Sequence, residues 1–571
     1  MEKRCPSWRE PVFLALLACV AYGLTLGNPF VFDDIGGIIE NPALHALWPP
    51  WAAASSPPDT TPYGRPVVAW SLAANHALGG LAPTGYRLVN VALHLATGLV
   101  LLALGRRLVA ATPGLAVPPS FPFLVASVWL LHPLCTSAVT YIVQRAEVGM
   151  SLCYAATLLC TARFCQAGPN VARGLWLSAV GCCAAGMLSK ESMVTAPVAA
   201  LCLDRAFFAA TWREVWGRRK FFHASLAATW GVLAVCMVLW PRSRSVGFHN
   251  EALSAWGYFL MQTEVIVHYL RLLVWPVGLS IDYAWRPVPS PLHVLPEFLF
   301  LSAAGVAVVL LWRNRPRLAW LVGMPFLILS PTSSFVPVIT AIASEHRMYL
   351  PSAFLIALLL LGIHCAIKRA GVREQLAGRL LVGVASGVMA ALLVLTVGRN
   401  EVYASVESVW RDVLQKQPNN ARAHNNLGHA LWKGGRPAEA EECFRSALEK
   451  DPKHADAHYN YGTLLGQRGE IEEGLRHLEK AVGIWPDYAA AYANMGVLYF
   501  MQGDEEKGFQ AYQQALKHRP NHVVANFNMA VISFQQGDMD RAEAHLRKVL
   551  TLQPGYPRAR ELLEDIQRAK R

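Results

Sequence analysis

Uncharged apolar runs of helical length recur through the first 398 residues and constrain the fold of this chain more than any other feature. A bilayer core about 30 Å thick is crossed by a helix of about 20 apolar residues, so such runs predict a polytopic membrane protein. Charged residues make up only 16% of the chain, against roughly 25% in globular proteins, which supports this interpretation. We place eleven runs, near residues 11–27, 88–104, 120–134, 148–162, 174–188, 192–203, 224–240, 298–312, 318–332, 350–367 and 380–397.

The excess of positive charge lies in the same part of the chain. The net charge is +12, whereas the residues from Arg399 onwards carry 23 basic and 23 acidic side chains. No basic stripe with interleaved aromatic residues follows Arg399, which argues against a nucleic-acid partner. Lysines and arginines in loops set the orientation of a membrane domain instead. That rule predicts cytoplasmic loops at residues 3–4, 106–107, 212–220, 313–317 and 368–369.

Orientation depends on the stretch 258–275, which carries Glu264, His268 and Arg271 on one helical face. Charged groups are costly in a helix that faces lipid, so we expect this stretch to line a cavity or an interface without crossing. Eleven crossings from a cytoplasmic N-terminus then put everything after Val397 on the periplasmic or lumenal side. The loops 28–86, 241–297 and 333–349 lie on that side too.

A 34-residue period begins after residue 418. It places prolines at 418, 452, 486, 520 and 554, and small residues at 428, 462, 496 and 530. This is the tetratricopeptide period, in which small residues let two helices touch and prolines end the second helix. We predict an all-α chain: a helical membrane bundle over 1–398, a connecting helix or half repeat over 399–420, four repeats over 421–556 and a capping helix over 557–571.

The predicted solenoid is a module for binding peptides. Asparagines recur on the first helices of the repeats, and two interpretations of them are equally good. They line a groove for an acceptor peptide, or they hydrogen-bond to one another along the stack. The residues concerned are Asn425, Asn426, Asn460, Asn494 and Asn528.

Ionisable residues at membrane boundaries are candidates for chemistry because they are expensive there. Adjacent carboxylates at Asp33 and Asp34 raise each other's pKa, so one is a candidate general base, and the pair is also suited to a divalent ion. A water-exposed pair at a helix end is the alternative. Basic residues on the predicted outer side suit a lipid phosphate, although each alone is typical of an interface residue. These are Arg65, Arg87, Arg145, Lys190, His346 and Arg347.

Taken in order, several motifs resemble the transmembrane and tetratricopeptide-repeat O-mannosyltransferases (TMTC) of the GT-C glycosyltransferase superfamily, with their shorter bacterial relatives. The resemblance covers nearly the whole chain. It rests on Phe32-Asp33-Asp34 with Asn41-Pro42, Arg65-Pro66, Gly85-Tyr86-Arg87 with Asn90 and His94, His132-Pro133 through Gln144-Arg145-Ala146, Leu188-Ser189-Lys190-Glu191, Glu345 to Pro351, and the repeats.

This resemblance implies a GT-C-like fold and the transfer of a sugar, typically mannose, from a polyprenyl or dolichyl phosphate to a protein hydroxyl with inversion. Asp33 or Asp34 is then the base, the six basic residues bind the donor phosphate, and the repeats present the acceptor. No metal ligand is assigned beyond the carboxylate pair. The absence of a usable Asn-x-Ser/Thr sequon and of a Lys-Asp-Glu-Leu tail favours a bacterial inner membrane over the endoplasmic reticulum.

Two other functions fit the sequence pattern. In the first, the membrane part is only an anchor, and the repeats form a non-catalytic scaffold for assembling protein complexes. That hypothesis predicts that Asp33 and Asp34 are dispensable. In the second, the chain transports lipid-linked sugars, which calls for polar residues near the midpoints of spans. His94 and His364 are the candidates for that role, and both also suit an ordinary buried histidine.

Overall fold

The computed structural model describes residues 8–58, 60–241, 254–285, 288, 290–338 and 341–570. Contacts divide the chain into two compact units, one up to Val409 and one from Trp410 onwards. All regular structure in the described ranges is helical, and none of it is β-strand. The all-α fold class is therefore confirmed.

The first unit contains a helix in every apolar run predicted above. These helices are Arg9–Tyr22, Pro83–Ala110, Phe121–Leu130, Arg145–Phe164, Pro169–Met187, Ala196–Phe207, Trp212–Ala228 with Trp230–Leu239, Leu295–Asn314, Pro316–Leu329, Tyr349–Arg369 and Glu374–Glu401. Between them lie Pro50–Ala54, Pro66–Gly79, Thr136–Val139 and Ala255–Val274.

The described residues contain fewer helices of full spanning length and composition than the eleven crossings predicted. Five are long and apolar enough to cross a membrane: Pro83–Ala110, Trp212–Leu239, Pro291–Asn314, Glu345–Arg369 and Glu374–Ala404. A sixth results if Phe121–Leu130 and Pro133–Val139, bent by 55°, are one broken span. The others are shorter or less apolar, so the count of eleven crossings stays a prediction.

Three further predictions concern segments near the described limits. The helix Ala255–Val274 is not among the five candidate spans, in line with the polar face expected there. The basic residues Lys3 and Arg4 lie outside the described residues. So does part of the predicted outer loop 241–297, of which 242–253 are not described.

Three apolar clusters form the interior of the first unit. The first surrounds Trp129, whose indole N–H donates to the carbonyl of Tyr349 at 2.7 Å. The second packs the helices around Tyr154 and Phe222. The third is made mostly by loops and short helices, and it includes Val31, Tyr141 and Val143. This third cluster supports the carboxylate pair, so the fold provides a rigid base for that site.

The second unit is a stack of antiparallel helix pairs. A helix at Val406–Lys416 precedes them, and Pro557–Ala569 follows them. The pairs are Ala421–Lys433 with Pro437–Lys450, Ala455–Gln467 with Ile471–Ile484, Ala489–Gln502 with Glu505–His518, and Val523–Gln535 with Met539–Leu552. The α-solenoid predicted from the 34-residue period is confirmed.

Two sets of small residues explain the period physically. Gly435, Gly469, Gly503 and Gly537 join the two helices of each pair, and all four have φ between +77° and +89°. Side chains are strained in this left-handed region, so glycine is the residue of choice. At Gly496, an added Cβ would lie 2.5 Å from the Tyr512 ring. The repeat therefore needs a small residue where its two helices touch.

Candidate active site

The carboxylate of Asp34 is built into the loop that follows the first helix. Its side chain is fully buried. One oxygen accepts the backbone N–H of Val143 at 2.9 Å and the other accepts that of Val31 at 3.1 Å. Burial raises the pKa of Asp34 to about 7, against the opposing effect of these two bonds and of the Arg87 charge. Asp34 thus ties its own loop to the segment around Val143.

Asp33 has a different environment although it is the next residue. It is exposed, and its backbone N–H donates to the hydroxyl of Tyr141 at 2.9 Å. The Tyr141 ring stacks on Phe32 with centroids 6.4 Å apart, and Phe32 adopts the uncommon φ of +48°. This turn makes the two adjacent carboxylates point differently, so that Asp34 serves the fold and Asp33 faces the outside.

Arg87 lies buried behind the same loop. Its guanidinium donates to three backbone carbonyls: Thr140 at 3.3 Å, Pro29 at 2.5 Å, and Asn28. Two of these belong to the loop that carries Asp33, and the third belongs to the segment that carries Tyr141. Arg87 therefore positions the carboxylate loop, and each of its three nitrogens already donates to the protein.

Arg145 is committed to the protein interior in the same way. Its side chain is 1% exposed. It donates to the side-chain oxygen of Asn90 at 2.8 Å, to the carbonyl of Tyr86 at 2.8 Å, and to the carbonyl and hydroxyl of Ser71 at 3.0 and 3.3 Å. These contacts join the helices Pro66–Gly79, Pro83–Ala110 and Arg145–Phe164.

Arg65 and Lys190 form two ion pairs beside this framework. Arg65 bonds the carboxylate of Glu191 at 3.1 Å, and its Nε is buried without a hydrogen-bond partner among the described residues. Lys190 bonds the carboxylate of Glu147 at 2.5 Å. Burial lowers the pKa of Lys190, and the charge of Glu147 offsets part of that shift. Both cations are mostly buried, and an anion would compete for them with these glutamates.

His346 and Arg347 complete the basic group. The ring of His346 lies within electrostatic range of Lys190, Arg347 and Arg65. Arg347 is 5% exposed and donates to the carbonyl of Ile342 at 3.0 Å and to that of Ala341. Four of the six predicted basic residues therefore gather in one place, which we call the cationic cluster: Arg65, Lys190, His346 and Arg347, with the carboxylates Glu147 and Glu191.

One short segment joins the carboxylate pair to the cationic cluster. Within it, Tyr141 accepts the N–H of Asp33, Val143 donates to Asp34, and Glu147 binds Lys190. Residues 142–144 form a 3-10 turn that leads directly into the helix Arg145–Phe164, so Glu147 lies roughly 6–8 Å along the chain from Val143. A carboxylate and a group of cations thus stand on a single rigid support.

Tyr141, Glu147 and Glu191 were not among the predicted site residues. Glu147 and Glu191 lie inside the motifs around Arg145 and Lys190, and one physical signal could have indicated them. A lysine or arginine that is largely buried needs a carboxylate partner. Nothing in the sequence marks Tyr141, because its contact with Asp33 joins residues 108 positions apart.

The described residues do not supply a ready metal site. No group of three or more His, Cys, Asp or Glu side chains is placed to hold an ion in the described ranges. Both oxygens of Asp34 already accept backbone N–H groups. The carboxylate pair therefore offers too few protein ligands among the described residues for the divalent ion predicted there.

The asparagines of the repeats bond along the stack where their contacts are defined. The amide of Asn460 donates to the side-chain oxygen of Asn425 at 2.9 Å, and Asn425 donates to Asn426 at 3.2 Å. Asn494 donates to the hydroxyl of Thr463 at 2.9 Å. Asn528 is half-buried. These bonds favour the stacking interpretation for Asn425 and Asn460, and a peptide-binding role stays a prediction.

Fold and site together define a class: an all-helical membrane protein that carries a tetratricopeptide-repeat array. Tetratricopeptide-repeat family models match residues 407–452, 425–489 and 500–566. Among solved structures, that of MamA covers 27% of this chain and 90% of its own, with 23% identity and a TM-score of 0.24.

Curated relatives that match about half to three quarters of this chain share one name, protein O-mannosyl-transferase. Human "Protein O-mannosyl-transferase TMTC1" is 26% identical in an alignment of 491 positions that covers 75% of this chain and 53% of that protein. The Caenorhabditis elegans "Protein O-mannosyl-transferase F38B6.6" is 25% identical over 76% of this chain and 61% of its own. Human "Protein O-mannosyl-transferase TMTC2" is 28% identical over 48% of this chain and 35% of its own length. The TMTC resemblance is confirmed over about three quarters of the chain, which spans about a third to three fifths of these relatives.

Proposed function

We propose that this protein is an integral membrane glycosyltransferase that moves mannose from a polyprenyl or dolichyl phosphate to a hydroxyl of a protein. The observation that carries the proposal is that the exposed Asp33 and the cationic cluster both contact one segment, residues 141–147. The names of the curated relatives support the sugar and the protein acceptor. Apolar helices beside the site suit a donor that resides in lipid.

Asp33 is the base in this proposal. The oxygen of the acceptor hydroxyl attacks the anomeric carbon while Asp33 takes its proton. The bond between that carbon and the phosphate oxygen breaks on the opposite face, which inverts the configuration and releases the lipid phosphate. Asp34 is unsuited to this step because it is buried and both of its oxygens accept backbone N–H groups.

The cationic cluster binds the phosphate of the donor. Arg65, Lys190 and Arg347 bring three positive charges against the two negative charges of Glu147 and Glu191. One positive charge is left over, and it matches the single charge of a sugar phosphodiester. As the sugar departs, the phosphate gains a second negative charge, so the cluster stabilises the transition state more than the ground state. Arg87 and Arg145 act in this scheme as positioning residues.

The repeats present the acceptor protein, and they lie on the periplasmic or lumenal side in this proposal. A bacterial inner membrane is the location that we favour. Tetratricopeptide arrays bind extended peptides, and transfer to a protein hydroxyl requires that the acceptor segment be held near the carboxylate.

The test is mannosyl transfer by the full-length protein in nanodiscs, with radiolabelled polyprenyl-phosphate mannose and membrane proteins as acceptors. We expect Asp33→Asn to lose at least 100-fold in turnover at unchanged thermal stability, since general-base catalysis contributes about 10²–10⁴-fold. Asp34→Asn should lower stability. Glu40→Gln, an exposed acidic residue of the same loop, is the matched control and should behave as wild type.

Full transfer by Asp33→Asn would refute the assignment of the base. If the wild-type protein transfers neither mannose nor any other lipid-linked sugar to protein, the proposed transferase activity is refuted. The non-catalytic scaffold would then be the function to test.

A further inference from the structure

A pocket of about 400 Å³ opens between the first and the second repeat. Its lining combines two lysines, Lys453 and Lys480, with two histidines, His458 and His477. Leu448 and Ile484 add an apolar wall. Both lysines are exposed, and neither ammonium is paired with a carboxylate anywhere in the part of the chain that the structure describes. Two ammonium groups against the one carboxylate beside them, that of Asp451, give the pocket a net positive charge.

The two histidines form the back of this pocket and constrain each other. The Nε2 of His458 lies 3.1 Å from the carbonyl of Pro452, which can only accept, so Nε2 carries the proton. A neutral His458 then offers its Nδ1 as an acceptor. The Nδ1 of His477, 2.9 Å away, must donate to it. These assignments leave the His477 Nε2 available to a ligand. The carboxylate of Asp451 lies beside this pair and accepts the backbone N–H of Lys453 at 3.0 Å.

The fourth repeat shows that the pair His458 and His477 has a structural role. In the fourth repeat, Asn526 takes the place of His458, donates to the carbonyl of Pro520 at 3.0 Å and accepts from His545 at 2.8 Å. The pair at these positions is thus a device that fastens the loop to the second helix. It does not by itself indicate a ligand.

The lysines do not recur as a pair. At the position of Lys453 the other repeats carry Asn419, Asp487 and Asn521, and at the position of Lys480 they carry Ser446, Gln514 and Lys548. Within the described repeats, only the junction of the first and the second brings two unpaired ammonium groups to one pocket. The stacking of the repeats does not require this pair of lysines, because the other repeats stack without it. The pair therefore points to a function of this one pocket.

We propose that this pocket binds a carboxylate side chain of an acidic peptide, with Lys453 and Lys480 donating to the carboxylate oxygens and Leu448 and Ile484 contacting an adjacent apolar residue. Peptides are the ligands that helical-repeat arrays take. The lysines supply charge-assisted hydrogen bonds, and the apolar wall selects a hydrophobic neighbour. This inference does not depend on the transferase activity, because it concerns binding alone.

The test is fluorescence anisotropy of the full-length protein in nanodiscs with a labelled hexapeptide in which leucine and glutamate alternate. A peptide in which glutamine replaces glutamate is the first control. We expect the glutamate peptide to bind at least tenfold more tightly. Lys453→Ala and Lys480→Ala should each weaken its binding roughly tenfold, because each removes one charge-assisted hydrogen bond at an exposed site.

Two matched variants make the result specific. Lys548→Ala removes the lysine of the fourth repeat that occupies the same position as Lys480, and it should leave binding unchanged. His458→Asn reproduces the pairing seen at Asn526, and it should keep both the thermal stability and the affinity within about twofold.

Equal affinity for the glutamate and glutamine peptides would overturn the proposal. So would equal losses from Lys480→Ala and Lys548→Ala, which would indicate general charge attraction. Binding of a phosphoserine peptide in place of the glutamate peptide would overturn the assignment of a carboxylate ligand. None of these measurements requires sugar transfer, so failure here is distinguishable from failure of the proposed enzyme.

Discussion

Replacement of Arg145 by lysine separates a structural arginine from one that binds substrate. The guanidinium makes four hydrogen bonds to three residues, Asn90, Ser71 and Tyr86, from a position that is 1% exposed. A lysine keeps the charge, but its ammonium cannot reach all three, because it lacks the planar fork. We expect it to lose about two bonds at about 1.5–3 kcal/mol each, so Arg145→Lys should destabilise the protein by about 3–6 kcal/mol.

Two control variants, Arg163→Lys and Arg65→Lys, test this prediction. Arg163→Lys alters an exposed arginine of the same helix and should change stability by less than about 0.5 kcal/mol. Arg65→Lys keeps an ion pair with Glu191 and should cost about 1 kcal/mol, while the KM for the lipid donor rises. Unfolding by denaturant in mixed micelles measures the first quantity, and mannosyl transfer measures the second. A stable Arg145→Lys with a raised donor KM would refute the structural role.

Three further predictions follow from individual contacts. Gly496→Ala places a Cβ 2.5 Å from the Tyr512 ring and should destabilise the repeats by about 1–3 kcal/mol in denaturant unfolding, whereas Gly483→Ala meets nothing within 4 Å and should stabilise them by about 0.5–1 kcal/mol. Burial raises the pKa of Asp34 to about 7, so the folded protein keeps a proton that the unfolded chain releases near pH 4. The stabilisation from this proton is fully present below pH 4 and is lost as the pH rises to 7. The difference in stability between wild type and Asp34→Asn should therefore shrink between pH 5 and 7 in thermal unfolding. Glu191→Gln removes the carboxylate paired with Arg65, so the donor KM should fall several-fold in the transfer assay, and a raised KM would contradict the charge balance proposed for the cluster.

The repeats could be predicted closely because their information is local. A glycine at each turn and a small residue at each helix contact recur every 34 residues, so the position of a residue within the period predicts its place in the repeat. Gly469 with its φ of +89° and Gly462 beneath the backbone of Gly474 show both devices within one repeat. Apolar runs are local in the same sense, and the helices of the first unit lie where the runs predict them.

The roles of the basic residues could not be predicted, because they depend on contacts between distant segments. Arg87 and Arg65 look alike in the sequence, each in a polar motif beside an apolar run. Arg87 meets the carbonyls of Asn28 and Thr140, 59 and 53 positions away, and it is fully buried. Arg65 meets a carboxylate and keeps an unsatisfied Nε. Only the fold decides which arginine has donors left for a substrate.

The same reasoning explains why a buried arginine and an exposed carboxylate occur together. A base must approach its substrate from a fixed direction, yet an exposed loop in an uncommon backbone conformation is costly to hold. Asp34, Arg87 and Tyr141 fix the loop from behind through bonds to its backbone, and Phe32 takes the positive φ. Two charged residues are thus used in the interior so that a third, Asp33, can stand at the surface in one orientation. The adjacent aspartates are therefore not a redundant pair: Asp34 fixes the backbone of the loop, and Asp33 is presented by it.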